Sequence, residues 1–325
     1  MRRLLLSLPL FAAIVHFAGC GDDATPSAQP TPDASAPSVD ASTEDRREPA
    51  IDAAGDATID AGIDSGPQFD DAGCPIGAVP VSSAADAGIP TNGIALWLRA
   101  DIGVATVDGG AVCRWDDVSG NGRAFRPATA TPPVAESAGL NNKPAVSFTG
   151  PDQHLSRADV IGIGATSGRT IAVIGATSDT THRFQYFTQG EVGTAGTYFG
   201  LDANTFSTAG SREGVYVTNN SYDSDLATSS ATRKHIFSIS SFTAGGTLPN
   251  VLTYAVDGTT RTLTRNSGGL GNGTVEAFGT ANATSIGVAS PGFTGAKIGE
   301  LIVYDRELTA PERLLVEQYF GARFP

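Results

Sequence analysis

Lysine is scarce in this chain, three residues against 18 arginines in 325, and basic residues of any kind are not gathered on one stretch. That scarcity argues against a phosphate-binding surface, because nucleic-acid affinity rests on clustered positive charge. The charge present is mostly negative, with a net of −13, and it is unevenly placed. Residues 21–90 hold 14 acidic and 2 basic side chains, whereas residues 91–325 hold 20 and 17 and are close to neutral. Histidine is also sparse: His154, His182 and His235 lie far apart, with no second His or Cys beside any of them. H-E-x-x-H and G-x-S-x-G are both missing, which removes the sequence signals for a zincin or a nucleophile elbow. Long apolar runs are missing too. LLLSLPLFAAIV near the start is too short to cross a bilayer as a mature helix.

That run has a different reading. Arg2 and Arg3 precede it, and Phe17-Ala18-Gly19-Cys20 follows. Together they form the charged and apolar regions of a signal peptide over residues 1–19. The last four residues resemble a bacterial lipobox, although Phe17 departs from the usual Leu, Val or Ile. The resemblance implies export, acylation of Cys20 and anchoring in the cell envelope, with the outer membrane the expected location. The membrane is then touched only through the lipid. An ordinary secretory signal containing a cysteine is the alternative.

Residues 20–90 are rich in Asp, Ala, Pro, Ser and Gly and have no apolar periodicity, so they are expected to be a disordered tether. Asp52, Asp56, Asp60 and Asp64 recur every four residues, but helix is disfavoured by like charges at i, i+4 and by Gly55 and Gly62. The array lacks the dense D-x-D-x-D-G spacing of a calcium loop. If Cys20 carries lipid, Cys74 and Cys113 remain as an even pair in an oxidising compartment; a disulfide and two separate thiols are both open.

From Thr91 the texture changes to short β-branched and aromatic runs separated by Gly, Asn, Asp and Ser. Strands are predicted at 94–99, 111–115, 145–148, 170–175, 184–188, 197–201, 215–217, 235–242, 252–256, 261–264, 285–288 and 297–304. Asp257-Gly258 between two of them predicts a type I′ hairpin, whose central residues both need positive φ. In the 297–304 strand both faces are apolar, with Ile298, Glu300, Ile302 and Tyr304 expected on one side, so it reads as a central strand. A capping box at Thr309 and Glu312 then opens a terminal helix that presents Leu315, Val316, Tyr319, Phe320 and Phe324.

Four segments in order, Gly93-IALWLRADIGV, Trp115-DDVSGNG, Asn142-KPAVSFTG and the terminal strand with its YDR-L turn and helix, resemble the LamG-like jelly rolls of the concanavalin A-like lectin/glucanase superfamily. The resemblance covers roughly residues 91–325. It implies an all-β, two-sheet jelly-roll sandwich with a short C-terminal helix. It also implies a lectin-like role: a non-catalytic module that binds carbohydrate or another extracellular ligand, including a protein. Some relatives are glucanases with E-x-D-x-x-E on one strand, but that motif is absent here. A glycan hydrolase or lyase built from distant residues is the alternative.

Two loops carry candidate site residues. Asn219, Asn220, Tyr222, Asp223 and Asp225 offer an aromatic ring with amide and carboxylate groups, as sugar binding requires, in what reads as a polar loop. Asp116, Asp117 and Asn121, with Ser119, place oxygen donors in a tight loop suited either to Ca²⁺ or to Asx turns, in which the side chains satisfy their own backbone. Ca²⁺ is the only cofactor this suggests. The runs Gly162–Gly168 and Gly268–Gly273 lack a βαβ setting and read as turns, and three N-x-S/T sequons read as chance matches.

Overall fold

In the computed structural model the described residues are 68–77, 80–159, 161–164, 167–190, 199–203, 212–217, 220–241, 252–265 and 283–325. The predicted signal peptide, Cys20 and Asn219 lie outside them, as does most of the predicted tether. The strands are β1 (Gln68–Phe69), β2 (Pro75–Ile76), β3 (Ile94–Arg99), β4 (Val104–Val107), β5 (Ala111–Asp116), β6 (Ala124–Pro127), β7 (Val134–Leu140), β8 (Lys143–Phe148), β9 (Leu155–Arg157) and β10 (Ser167–Thr177). They continue with β11 (Phe184–Gln189), β12 (Phe199–Ala203), β13 (Arg212–Val217), β14 (Asn220–Ala227), β15 (Arg233–Ser241), β16 (Leu252–Val256), β17 (Thr259–Arg261), β18 (Leu263–Arg265), β19 (Thr284–Ile286), β20 (Val288–Ala289) and β21 (Ala296–Tyr304). One helix, α1 (Ala310–Arg323), follows.

The architecture is an all-β sandwich. The first sheet runs β17-β16-β15-β10-β21. On its far side β21 pairs with β3 through one half and with β8 through the other, and β8 continues to β7, β5 and β4. The second sheet runs β18-β14-β13-β12-β11, then β19 and β20, with β9 and β6 beyond. Every one of these pairings is antiparallel. Between the sheets lies a core that includes Trp115, Phe125, Phe148, Phe184, Phe187, Phe199, Leu301 and Val303.

A second apolar layer lies outside the first sheet, where Trp97, Ala172, Ile174, Ile302 and Tyr304 meet Val316, Phe320 and Phe324 of the helix region. The helix therefore covers part of the outer face of the sheet. Leu315, expected on that apolar face, is instead exposed. The capping box forms as predicted: the Glu312 carboxylate accepts the Thr309 N–H at 2.8 Å. Buried Glu300 locks helix to sheet, accepting Trp97 Nε1–H at 2.6 Å, Tyr319 O–H at 2.7 Å and Arg323 Nε–H at 2.8 Å.

Strand β21 is central, as its two apolar faces implied, but its faces are not those of simple alternation. Ile298 joins the inter-sheet core with Leu301 and Val303, while Ile302 and Tyr304 face the helix. A register shift opposite Ile174 and Gly175 inserts the extra residue that turns Ile298 inward. Gly299 falls in this bulge, and a Cβ there would meet the Phe324 ring at 2.7 Å. The Asp257-Gly258 hairpin also forms, with φ of 48° and 78°.

The folded unit begins earlier than residue 91. Strands β1 and β2 form a hairpin whose end is joined to β5 by a Cys74–Cys113 disulfide, with Cα atoms 5.7 Å apart. Asp70 adds an ion pair to Arg126 at 2.5 Å, and its backbone and arginine hydrogen bonds hold its carboxyl below the ordinary range. Ser82 donates its N–H to Val118 O, and Ile89 is buried against the outer apolar layer. Composition alone hid this segment, because its contacts come from a disulfide, salt bridges and a few small residues rather than from periodicity.

Candidate functional site

The outer faces of the two sheets differ in kind. Beneath α1 the first sheet is mostly apolar, with Glu300 as its buried charge; the second sheet carries a polar row whose positions are fixed by strand register. Gln185 on β11 stands opposite Asp202 on β12, Asp202 opposite Gly214 on β13, and Gly214 opposite Asp223 on β14. Cross-strand partners share a face. Their neighbours Phe187, Leu201, Val215 and Tyr222 point into the inter-sheet core, so the row faces outward.

Arg183, two residues before Gln185, sends its guanidinium to Asp202: Nε–H at 2.9 Å and Nη2–H at 2.5 Å, both to Oδ2. Gln185 Nε2–H reaches the other oxygen, Oδ1, at 2.9 Å. All four polar side chains are buried, with Asp202 only 1% exposed. Burial pushes the Asp202 carboxyl above its ordinary range, Arg183 and Gln185 oppose that, and the charge of Asp223 adds to it. Gly214 between the two aspartates contributes no side chain, so the row has a gap one strand wide. Groups of this kind are held rigidly, and each carries a direction and either a charge or an amide dipole.

Of the residues expected to bind ligand, Asp223 belongs to this row. The stretch is a strand, not a polar loop: β14 spans Asn220–Ala227. Its alternation sends Tyr222 inward, into the core and away from any stacking surface. Asp225 is exposed, with Arg261 Nη1 at 3.9 Å. Arg183, Gln185 and Asp202 were not singled out in the sequence. A signal existed in FGLDA and FQYFTQ, where a carboxylate and amides interrupt strands that are otherwise rich in apolar residues.

A second buried polar cluster lies inside the sandwich. Glu213 on β13 faces Arg233 Nη1 at 3.1 Å and His235 Nδ1 at 3.7 Å, and His235 Nδ1 is 2.9 Å from the Tyr254 hydroxyl. The Tyr186 ring lies 5.3 Å from the His235 ring. Burial drives Glu213 up to about 7, against the pull of Arg233. Burial, with some help from Arg233, drives His235 down to about 3. Both shifts favour the uncharged forms. Because these side chains are enclosed between the sheets, they serve packing across the core rather than an exposed surface.

The WDDVSGNG loop does something other than gather oxygens. It runs along the open edge of β3: Asp117 Oδ1 accepts Trp97 N–H and Ser119 N–H, each at 2.9 Å, and Val118 donates its N–H to Trp97 O. Asn121 Nδ2 donates to Ile94 O at 3.0 Å. Asp116 takes Arg114 Nε–H at 2.8 Å. The remaining Asp117 oxygen is buried without a hydrogen-bond partner among the described residues, and the field of Asp117 reaches Arg157. The three candidate ligands thus diverge onto a strand edge and an arginine, an arrangement that closes an edge strand and satisfies turn backbone. Among the described residues no group of three or more His, Cys, Asp or Glu converges to hold a metal.

No family model matches the chain, and no curated protein sequence matches it either. Solved structures do resemble it in shape. The sialidase of Trypanosoma rangeli, in complex with the inhibitor DANA, superposes with a TM-score of 0.47 at 14% identity, over 74% of this chain and 35% of its own. The binding domain of Paraclostridial Mosquitocidal Protein 1 gives 0.45 at 8% identity, over 71% and 53%. Domain 4 of AbnA, an extracellular arabinanase from Geobacillus stearothermophilus in complex with arabinotriose, gives 0.40 at 14%, over 57% and 80%. The chain spans about a third of the length of the sialidase. At these identities and scores the likeness concerns architecture alone.

Proposed function

We propose that this protein is an exported, lipid-anchored module that binds an extracellular glycan without cleaving it, through the outer face of the second sheet. The observation that carries the reading is the register-fixed row Arg183, Gln185, Asp202 and Asp223. The Asp202 carboxylate braces Arg183 and Gln185 and fixes their directions, and a rigid polar face of this kind is suited to bonding hydroxyl groups. Binding is favoured over hydrolysis because both oxygens of Asp202 are already taken, by Arg183 and Gln185. A carboxylate so engaged is a poor nucleophile or general acid. The lipobox-like Phe17-Ala18-Gly19-Cys20 supports anchoring through Cys20, and mass spectrometry of the mature N-terminus tests that part alone.

The binding reading is tested by a glycan array probed with the wild-type protein and with Asp202→Asn and Asp223→Asn variants, alongside reducing-sugar release from every glycan that scores. The expected result is retention of particular glycans by the wild type, loss in Asp202→Asn, and no release of reducing ends. Release of sugar would replace the reading with a hydrolase. Equal retention by both variants would move the site off this sheet.

A further inference from the structure

We propose a second ligand site on the other sheet, a groove for a small uncharged polyhydroxylated molecule such as a neutral mono- or disaccharide. The groove measures about 470 Å³, within the usual range for small-molecule sites. It is cut into the outer face of the first sheet beside the region that α1 covers. Its floor is a row in register: Ser147 on β8, Lys297 on β21 and Ala176 on β10. The outer face thus changes from apolar to polar at this point.

Lys297 and Glu136 pair at 2.6 Å across the floor, each about one-third exposed. Ser147 also hydrogen-bonds Glu136, and with Lys297 it holds that carboxyl below its ordinary range in spite of partial burial. One wall is set by Asn141, whose Oδ1 accepts the Thr232 hydroxyl at 3.1 Å and whose Nδ2 donates to Pro325 O at 3.0 Å. The turn after β7, the segment before β15 and the chain end are thereby tied around the opening. Ser178 and Thr294 also line the groove, their hydroxyls donating to Gly295 O and Asp179 Oδ2 at 3.2 Å each.

The chemistry selects the class of ligand. The Ser178, Thr294 and Thr232 hydroxyls donate within the protein, so toward the groove they present acceptor lone pairs to which the hydroxyls of a polyol donate. Lys297 and Glu136 neutralise each other, and a charged ligand would have to break that pair or leave its own charge uncompensated. Among the described residues no aromatic ring lines the groove, so binding is weak and depends on hydrogen bonds. The site shares no residue with the row on the second sheet, and the two can fail independently.

The test is an amide-resolved NMR titration of the full chain with glucose, galactose, maltose and cellobiose, and with glucuronate and glucosamine as charged counterparts. Neutral sugars are expected to shift the signals of Ser178, Thr232 and Lys297 in a saturable way, with weaker effects from the two charged sugars. Ser230→Trp, an exposed rim position, should fill the groove and weaken binding by at least about tenfold, a loss of about 1.4 kcal/mol. Tighter binding of a charged sugar, shifts confined to residues of the second sheet, no shifts at all, or an unaltered response in Ser230→Trp would each overturn the proposal.

Discussion

Arg323 Nε lies 2.8 Å from Glu300 Oε2, joining the last turn of α1 to the central strand of the first sheet. Glu300 has no exposed surface, and burial raises its carboxyl above the ordinary range against the opposing pull of Arg323. The charge is tolerated because Trp97, Tyr319 and Arg323 all donate to it.

Glu300→Ala should therefore be costly. It strips the partner from the Trp97 indole and the Tyr319 hydroxyl in a buried setting, for a loss of about 3–5 kcal/mol. Arg323→Ala leaves the acid buried and raises its folded-state value further above the unfolded one. For an acid shifted this way the folded state binds the proton more tightly, so stability falls as pH rises through the window between the two values. The expected result in urea unfolding is a larger defect for Arg323→Ala at pH 8 than at pH 5. Equal losses at the two pH values would show that the ion pair contributes nothing through charge.

The Glu213–His235 cluster gives a second pH signature. Glu213, raised to about 7, contributes stability that is complete below its unfolded value near 4.5 and declines as pH rises to 7. His235, lowered to about 3, does the opposite: the folded state resists protonation, so stability falls as pH drops below the unfolded value of 6.5. Between about 4.5 and 6.5 the two slopes cancel. In Glu213→Gln only the histidine slope remains, and stability should fall by roughly 1.4 kcal/mol per pH unit below 6.5. Thermal unfolding between pH 4.5 and 7 reads this directly. A variant profile as flat as the wild type would mean that His235 takes up its proton as readily in the folded state as in the unfolded one.

The order of strands and the terminal helix were legible because their burial is two-sided or periodic. Ile94–Arg99 and Leu252–Val256 were read to the residue, and the Thr309–Glu312 box and the Asp257-Gly258 turn were signalled by short-range chemistry. In isolation NSYDSDLA of β14 reads as a loop, because it alternates a core tyrosine with carboxylates that only a neighbouring strand can explain. The polar row was hidden for the same reason. Arg183, Gln185, Asp202 and Asp223 come from separate strands, and register, which no local pattern shows, brings them to one face. The inward turn of Ile298 follows from a bulge that depends on the fit of Gly299 against Phe324.

The loop at Asp117 allows the calcium and turn readings to be separated. A cation bound only by the folded state would raise stability by about 2.7 kcal/mol at one hundred times its Kd. In the arrangement found, Asp117 Oδ1 is committed to two backbone N–H groups and Arg157 lies within its field, so the edge of β3 is what the side chain serves. Wild-type melting curves in calcium and in chelator are then expected to coincide. Asp117→Asn keeps an acceptor oxygen and should cost little, whereas Asp117→Ala leaves Trp97 N–H without a partner at a buried edge and should cost about 1–3 kcal/mol in either medium. A chelator-reversible rise in melting temperature that vanishes in Asp116→Asn and Asp117→Asn would restore calcium to this loop. A rise that persists in both variants would place the ion elsewhere in the chain.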